Sequence, residues 1–201
     1  APSIAIALHV PPLSLRTALT SYVLTLAVFI PASAWLTERF GTRRIFAAAI
    51  SVFTLGSLAC GLAPNLRMLI IARVFQGLGG AMLMPVGRYV LLRVFGRKDF
   101  VAAMSFVAIP GLLGPALGPL LGGALAEYAS WRLIFLINIP VGLVGLWLNR
   151  RAMPHLFGER HPFDGRGFIL FGLASGMLLT AAEFAGDLRF GPSLASAAVG
   201  I

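Results

Sequence analysis

The sequence predicts an all-α polytopic membrane protein, and three observations carry that expectation. Hydrophobic residues fill 58% of the 201 positions and charged residues 11%, against about 25% charged in a soluble domain. That is too little polar surface to face water. The apolar residues are gathered into separate runs of spanning length: about 20 residues at about 1.5 Å of rise each match a hydrocarbon core of roughly 30 Å. The basic residues fall mainly in the connections and are unequally shared between alternate ones, as membrane topology requires.

In chain order, residues 1 to 8 read as the tail of a helix, followed by a proline-containing connection, "HVPPLSLRT". Apolar spans are then expected near 17–36, 45–62, 68–91, 100–125 and 132–149. A polar linker, "RRAMPHLFGERHPFDGR", precedes a sixth span near 167–185, and the last residues read as the start of another. Opening on "APSIAIAL" without methionine and closing on "AAVGI" within an apolar run, the chain reads as cut at both ends. No basic segment precedes the first apolar stretch, so no signal peptide is expected.

The formal net charge is +9. The basic residues are scattered between apolar runs, without a basic arm or an aromatic-interleaved face. Nucleic acid is therefore not an expected partner, and anionic lipid headgroups are. The connections at 37–44, 92–99 and 150–166 hold Arg39, Arg43, Arg44, Arg93, Arg97, Lys98, Arg150, Arg151, Arg160 and Arg166; the alternate ones hold Arg16, Arg67, Arg132 and Arg189. This excess assigns the first set to the cytoplasm.

Within the spans, Arg73 stands out. It lies about six residues, about 9 Å, inside the third complete run. A charge at that depth is costly and either faces a cavity or partner, or snorkels to the surface. Gln76 and Gly77 follow at three and four residues, on the face of Arg73, and make a donor-rich, sterically open patch. Gly111, Gly114, Gly118 and Gly122 share a face of the next run, with Gly123 beside it. Pro115 and Pro119 on that surface remove backbone donors and favour a bend. The stripe serves either ordinary tight helix packing or an interface that moves.

Other polar residues read as surface features. Arg88 is placed to snorkel at the cytoplasmic end, Glu127 marks a helix end, and Glu183 with Asp187 marks a helix exit or holds a cation or proton. His9, His155 and His161 lie in or near connections without metal-ligand spacing. Cys60, the single cysteine, excludes an internal disulfide and reads as a small packed residue. There is no phosphate loop, serine elbow or zinc motif. "GLGG" at 77–80 continues a helix and is not a dinucleotide loop. No catalytic residue, metal or cofactor is expected.

Four stretches carry a family likeness. "AWLTERFGTRR", 34–44, resembles the loop between the second and third helices of major facilitator superfamily transporters, Gly-x-Leu-x-Asp-Arg-x-Gly-Arg-Arg/Lys. Arg39, Gly41, Arg43 and Arg44 fit; Ala34 stands in the glycine position and Glu38 in the aspartate position. "RVFQGLGGA", 73–81, is similar to the family's fourth-helix motif, and "GLLGPALGPLLGG", 111–123, to the fifth-helix motif of its antiporters. "WRLIFLINIPVG", 131–142, resembles the opening of the sixth helix in the drug and proton antiporter branch with fourteen spans.

The resemblance implies an incomplete major-facilitator-type helix bundle. Residues 1–150 would be the N-terminal bundle lacking most of helix 1, 151–166 a cytoplasmic linker, and 167–201 an additional central helix and the start of the next. It implies proton coupling through Arg73, with Gln76 and Gly77 beside it, and a conformational switch at Glu38, Arg39, Gly41, Arg43 and Arg44. Glu38 could pair with Arg39 or Arg43, or face a helix amino end of the other half; alternatively the loop's charges only fix topology. The implied function is export of hydrophobic or amphipathic compounds in exchange for protons across the inner membrane, with the C-terminal half of the same protein as partner. A proton-coupled nutrient importer, a non-transporting structural membrane subunit and a membrane enzyme are the alternatives, the last without the clustered polar groups it would need.

Overall fold

The computed structural model describes residues 2–8, 10–11, 14–159 and 161–197, with the surroundings of side chains given for most of 4–182 and gaps concentrated between 96 and 128. The described residues form seven helices: α1 (Pro2–Ala7), α2 (Leu15–Phe40), α3 (Thr42–Gly61), α4 (Leu66–Tyr128), α5 (Leu133–Leu136), α6 (Asn138–Ala152) and α7 (Gly165–Ala197). Among the described residues, five stretches are long and apolar enough to cross a membrane: 15–40, 42–61, 66–95, 133–152 and 165–182.

The N-terminal half of α4 lies between α2 and α3, and glycine makes this possible. A Cβ at Gly77 would stand 2.9 Å from the Tyr22 carbonyl oxygen and from Thr25 Cβ of α2. One at Gly79 would meet the backbone of Phe53 and Ala49 of α3, and one at Gly56 of α3 would stand 2.7 Å from the Gln76 backbone nitrogen. Lipid gives apolar side chains no reason to leave it for one another, so close backbone approach carries helix association in a membrane. Gly142 of α6 sits in the same way against Thr54 of α3.

Around this crossing the outward positions stay apolar: Leu19, Val23, Ile30, Leu55, Phe75 and Trp147 are all exposed, as lipid-facing residues are. Several hydroxyl groups along α2 are satisfied by its own carbonyls. Thr25 donates to the Ser21 carbonyl, Ser33 to Ile30 and Thr37 to Ser33 along α2. Away from the arginine-rich end, a small core unites Leu8, Ala18, Cys60, Ala63, Leu69, Ala72, Trp131 and Phe135.

Two connections expected from the sequence differ. Residues 92–99 are helical, so the runs at 68–91 and 100–125 belong to one 63-residue helix. The stretch LRVFGRKD contains no proline and several good helix formers, so backbone hydrogen bonding continues through it. At about 95 Å, α4 is far longer than a bilayer core. The charges at Arg93, Arg97, Lys98 and Asp99 therefore mark where the chain leaves hydrocarbon, and divide α4 into two apolar lengths. The 37–44 connection contracts to one residue: α2 runs through Phe40 and α3 starts at Thr42, with Gly41 alone between them. The span expected to end near 185 continues to Ala197 within α7.

α7 lies outside the bundle and touches α2. The Phe168 ring meets Phe29 edge-on at 5.7 Å, and Gly172 lets α7 settle against Val28. None of residues 165–182 is buried.

Candidate functional site

Arg73 is turned inward, about two turns from the start of α4. Its Nη1 donates to Gln76 Oε1 at 3.0 Å, the i, i+3 partner on its own helix. Gln76, 2% exposed, donates through Nε2 to Ser57 Oγ of α3 at 2.5 Å. Asn138 Nδ2, at the start of α6, donates to the same oxygen at 3.1 Å. Cys60 Sγ lies 3.8 Å from Gln76 Oε1. The guanidinium also sits over the rings of Phe135 at 4.6 Å and Tyr22 at 5.4 Å. Five helices thus converge on one cation.

The balance of this network is unusual. Arg73 Nε is buried without a hydrogen-bond partner. Among the described residues no carboxylate forms an ion pair with Arg73; the Glu159 carboxylate meets His161, outside the bundle. A buried guanidinium normally acquires an anionic partner. Here aromatic faces and a neutral amide hold it, which leaves the charge able to stabilise an anion brought beside it.

Ser57 is the hub, since its oxygen accepts from both Gln76 and Asn138. Ser57→Ala strips the buried Gln76 amide of its acceptor, a loss of about 1–3 kcal/mol. The expected result is a lower thermal unfolding midpoint in detergent than for Ser57→Thr, which keeps the hydroxyl. Equal midpoints would contradict the network.

Gly77 is buried against Tyr22 and Thr25, so its part is to let α4 approach α2. The glycine stripe is different. A Cβ at Gly114, Gly118, Gly122 or Gly123 would meet nothing within 4 Å, so those positions lie open along α4. The surroundings of Gly111, Pro115 and Pro119, like those of Glu127, Glu183 and Asp187, lie outside the described side chains, and His9 lies outside the described residues.

At the arginine-rich end, Gly41 has φ 88° and ψ 147°, a conformation that only glycine adopts without strain. Arg43 donates to the Arg150 carbonyl at the end of α6, and Arg39 lies over the Trp35 and Phe40 rings at 5.3 and 5.9 Å. Arg44 is exposed. The expected pairing of Glu38 with Arg39 or Arg43 does not form among the described residues, because the first is drawn to aromatic faces and the second to a carbonyl. A Cβ on Gly41 would stand 2.9 Å from His155 Cε1 and 3.0 Å from Phe157 Cε1. Gly41→Ala is therefore expected to cost about 1–3 kcal/mol in backbone strain, read as a lower unfolding midpoint. An unchanged midpoint would mean the turn has another conformation.

A largely apolar cavity of about 690 Å³ opens nearer this end, lined by Phe46, Met84, Gly87, Arg88, Met104 and Met153 among others. No group of three or more potential metal ligands occurs among the described residues.

Spanning helices packed on glycine, apolar outside and with a cation turned inward, define a multi-pass membrane bundle with an intramembrane polar site. The chain belongs to the Major Facilitator Superfamily, which its sequence matches over residues 1–201, and it is a multi-pass inner-membrane protein. It is 48% identical over 200 residues to proteins of Salmonella typhi and Salmonella typhimurium that carry the provisional name multidrug resistance protein MdtD. These alignments cover 99% of the chain and 43% of each relative, so the chain spans less than half the length of the relatives it matches. The crystal structure of a peptide transporter, POT, solved as a mutant with sulfate, superposes on it with a TM-score of 0.64 at 19% identity, covering 89% of this chain and 39% of that one. At that identity the likeness concerns the fold.

Proposed function

We propose that the chain forms the N-terminal half of an exporter that moves hydrophobic or amphipathic compounds out of the cell in exchange for protons. The observation that carries the reading is Arg73, a half-buried, inward-turned cation in the Gln76–Ser57–Asn138 network with no carboxylate partner among the described residues. Such a centre responds when an acid or an anionic group enters the cleft, and can tie proton release to the movement of helices. The 48% identity to multidrug resistance proteins supports the substrate class. So does the cavity, whose methionines adapt to ligands of different shape. The C-terminal half of the protein completes the cleft, the open glycine stripe of α4 offers it a surface, and anionic headgroups meet the arginines of the cytoplasmic end. The reading assigns no catalysis to the chain.

The test uses the full-length protein in sealed vesicles with an imposed proton gradient and a panel of lipophilic cations, dyes and common metabolites. Movement of a hydrophobic compound against the proton flow is the expected result. Movement of a metabolite with the protons would replace export by nutrient uptake. No flux of any compound would favour a structural role.

A further inference from the structure

The segment that follows α6 does not hang free. Met153 adopts an extended conformation, and the chain then runs across the α2–α3 turn as a strap. The Thr42 backbone N–H donates to the Leu156 carbonyl at 2.9 Å. The Thr42 hydroxyl donates to the Pro154 carbonyl at 2.6 Å and accepts from the Leu156 N–H at 3.0 Å. One residue thus makes three hydrogen bonds to the strap while its own side chain is fully buried. Further along, the Gly158 N–H donates to the Glu38 carbonyl at 3.2 Å, and Trp35 Nε1 donates to the His161 carbonyl at 3.0 Å. His155 and Phe157 stack at 4.8 Å over Gly41, where no side chain intervenes. At the other edge, Asn149 Nδ2 donates to the Arg43 carbonyl at 3.1 Å.

We propose that Thr42 is a positioning residue: it clasps the 153–158 strap to the α2–α3 turn, so that turn, strap and the end of α6 move as one body during the transport cycle. A turn of a single residue leaves the last carbonyls of α2 and the first N–H groups of α3 in need of partners, and the strap supplies them at Glu38 and Thr42. The strap's own carbonyl at Pro154 and N–H at Leu156 depend on the Thr42 hydroxyl. Without that hydroxyl, two strap backbone groups lose their partner together and the strap loosens. Glu38 and Arg39 then sit on a turn held less firmly to the strap.

The consequence for transport rests on the export reading; the clasp itself does not. In the full-length protein, a nitroxide at the exposed Glu159 position reports strap mobility, and vesicle transport reports rate and apparent KM. Thr42→Val, which keeps shape and loses the hydroxyl, is expected to speed nitroxide motion severalfold and to lower the maximal transport rate about fivefold. Apparent KM should stay unchanged, because the strap lies away from the Arg73 network. Thr42→Ser restores both. Unchanged mobility in Thr42→Val would overturn the clasp. Faster motion with an unaltered rate, or a rise in KM in place of a fall in rate, would overturn the positioning role. If the wild-type protein carries nothing, the export reading fails, while the nitroxide still decides the clasp.

Discussion

Arg73→Ala in the full-length protein is expected to lower proton-driven export about a hundredfold while leaving the amount of protein in the membrane unchanged or higher. The two halves of this result have one cause. Hydrogen bonds to a buried charged group contribute up to about 3 kcal/mol, about a hundredfold in rate, and the aromatic contacts with Phe135 and Tyr22 are lost with them. Yet a cation held without a carboxylate among the described residues is itself a cost to the folded bundle, which alanine removes. Arg73→Lys should rescue only in part. A lysine keeps the charge, but its compact, strongly hydrated ammonium replaces the planar guanidinium that stacks on the two rings. Export driven as in the wild type by Arg73→Ala, at normal abundance, would remove Arg73 from the coupling mechanism. Loss of abundance would instead make the network a folding element.

Gly79→Val is expected to prevent accumulation of folded protein, and Gly56→Val to act similarly. At both positions the obstructing atoms are backbone: a Gly79 Cβ would stand 2.7 Å from the Ala49 carbonyl oxygen, and a Gly56 Cβ 2.8 Å from Gln76 Cα. Side chains turn aside at modest cost, but backbone yields only if α3 and α4 separate. Overpacking of this kind costs about 3 kcal/mol or more, and it also pulls Gln76 from Ser57. Gly114→Val is the contrast, because nothing lies within 4 Å of its Cβ; its abundance should match the wild type. Quantitative blotting of membranes reads both. Equal abundance of all three variants would mean that α3 and α4 do not cross at these glycines.

Local spacing made part of the site legible. Arg73 and Gln76 lie three residues apart on one helix, and the hydrogen bond between them follows from that offset. Ser57 and Asn138, which hold Gln76 in place, stand 19 and 62 residues from it, and no periodicity relates them. The signal present was chemical: a serine and an asparagine within apolar runs need partners. The α2–α3 turn shows the same division. Its glycine and arginines were evident, but the 153–158 strap comes from more than a hundred residues away and holds the turn through backbone groups, which leave little trace in residue type. At 92–99 the charges suggested a connection between two spans, where the structure has continuous helix. What they did not reveal is that a charged stretch need not end a helix when no proline stops it.

The peripheral seat of α7 has an evolutionary consequence. Along 165–182 its described anchors to the bundle are few, chiefly Phe168 against Phe29 and Gly172 beside Val28. The outward residues Leu170, Met177 and Leu178 are exposed, and where lipid covers them it asks only that they be apolar. Any apolar side chain satisfies that demand, so those positions are free to drift from one descendant to the next. Selection is left to act on the narrow inner edge.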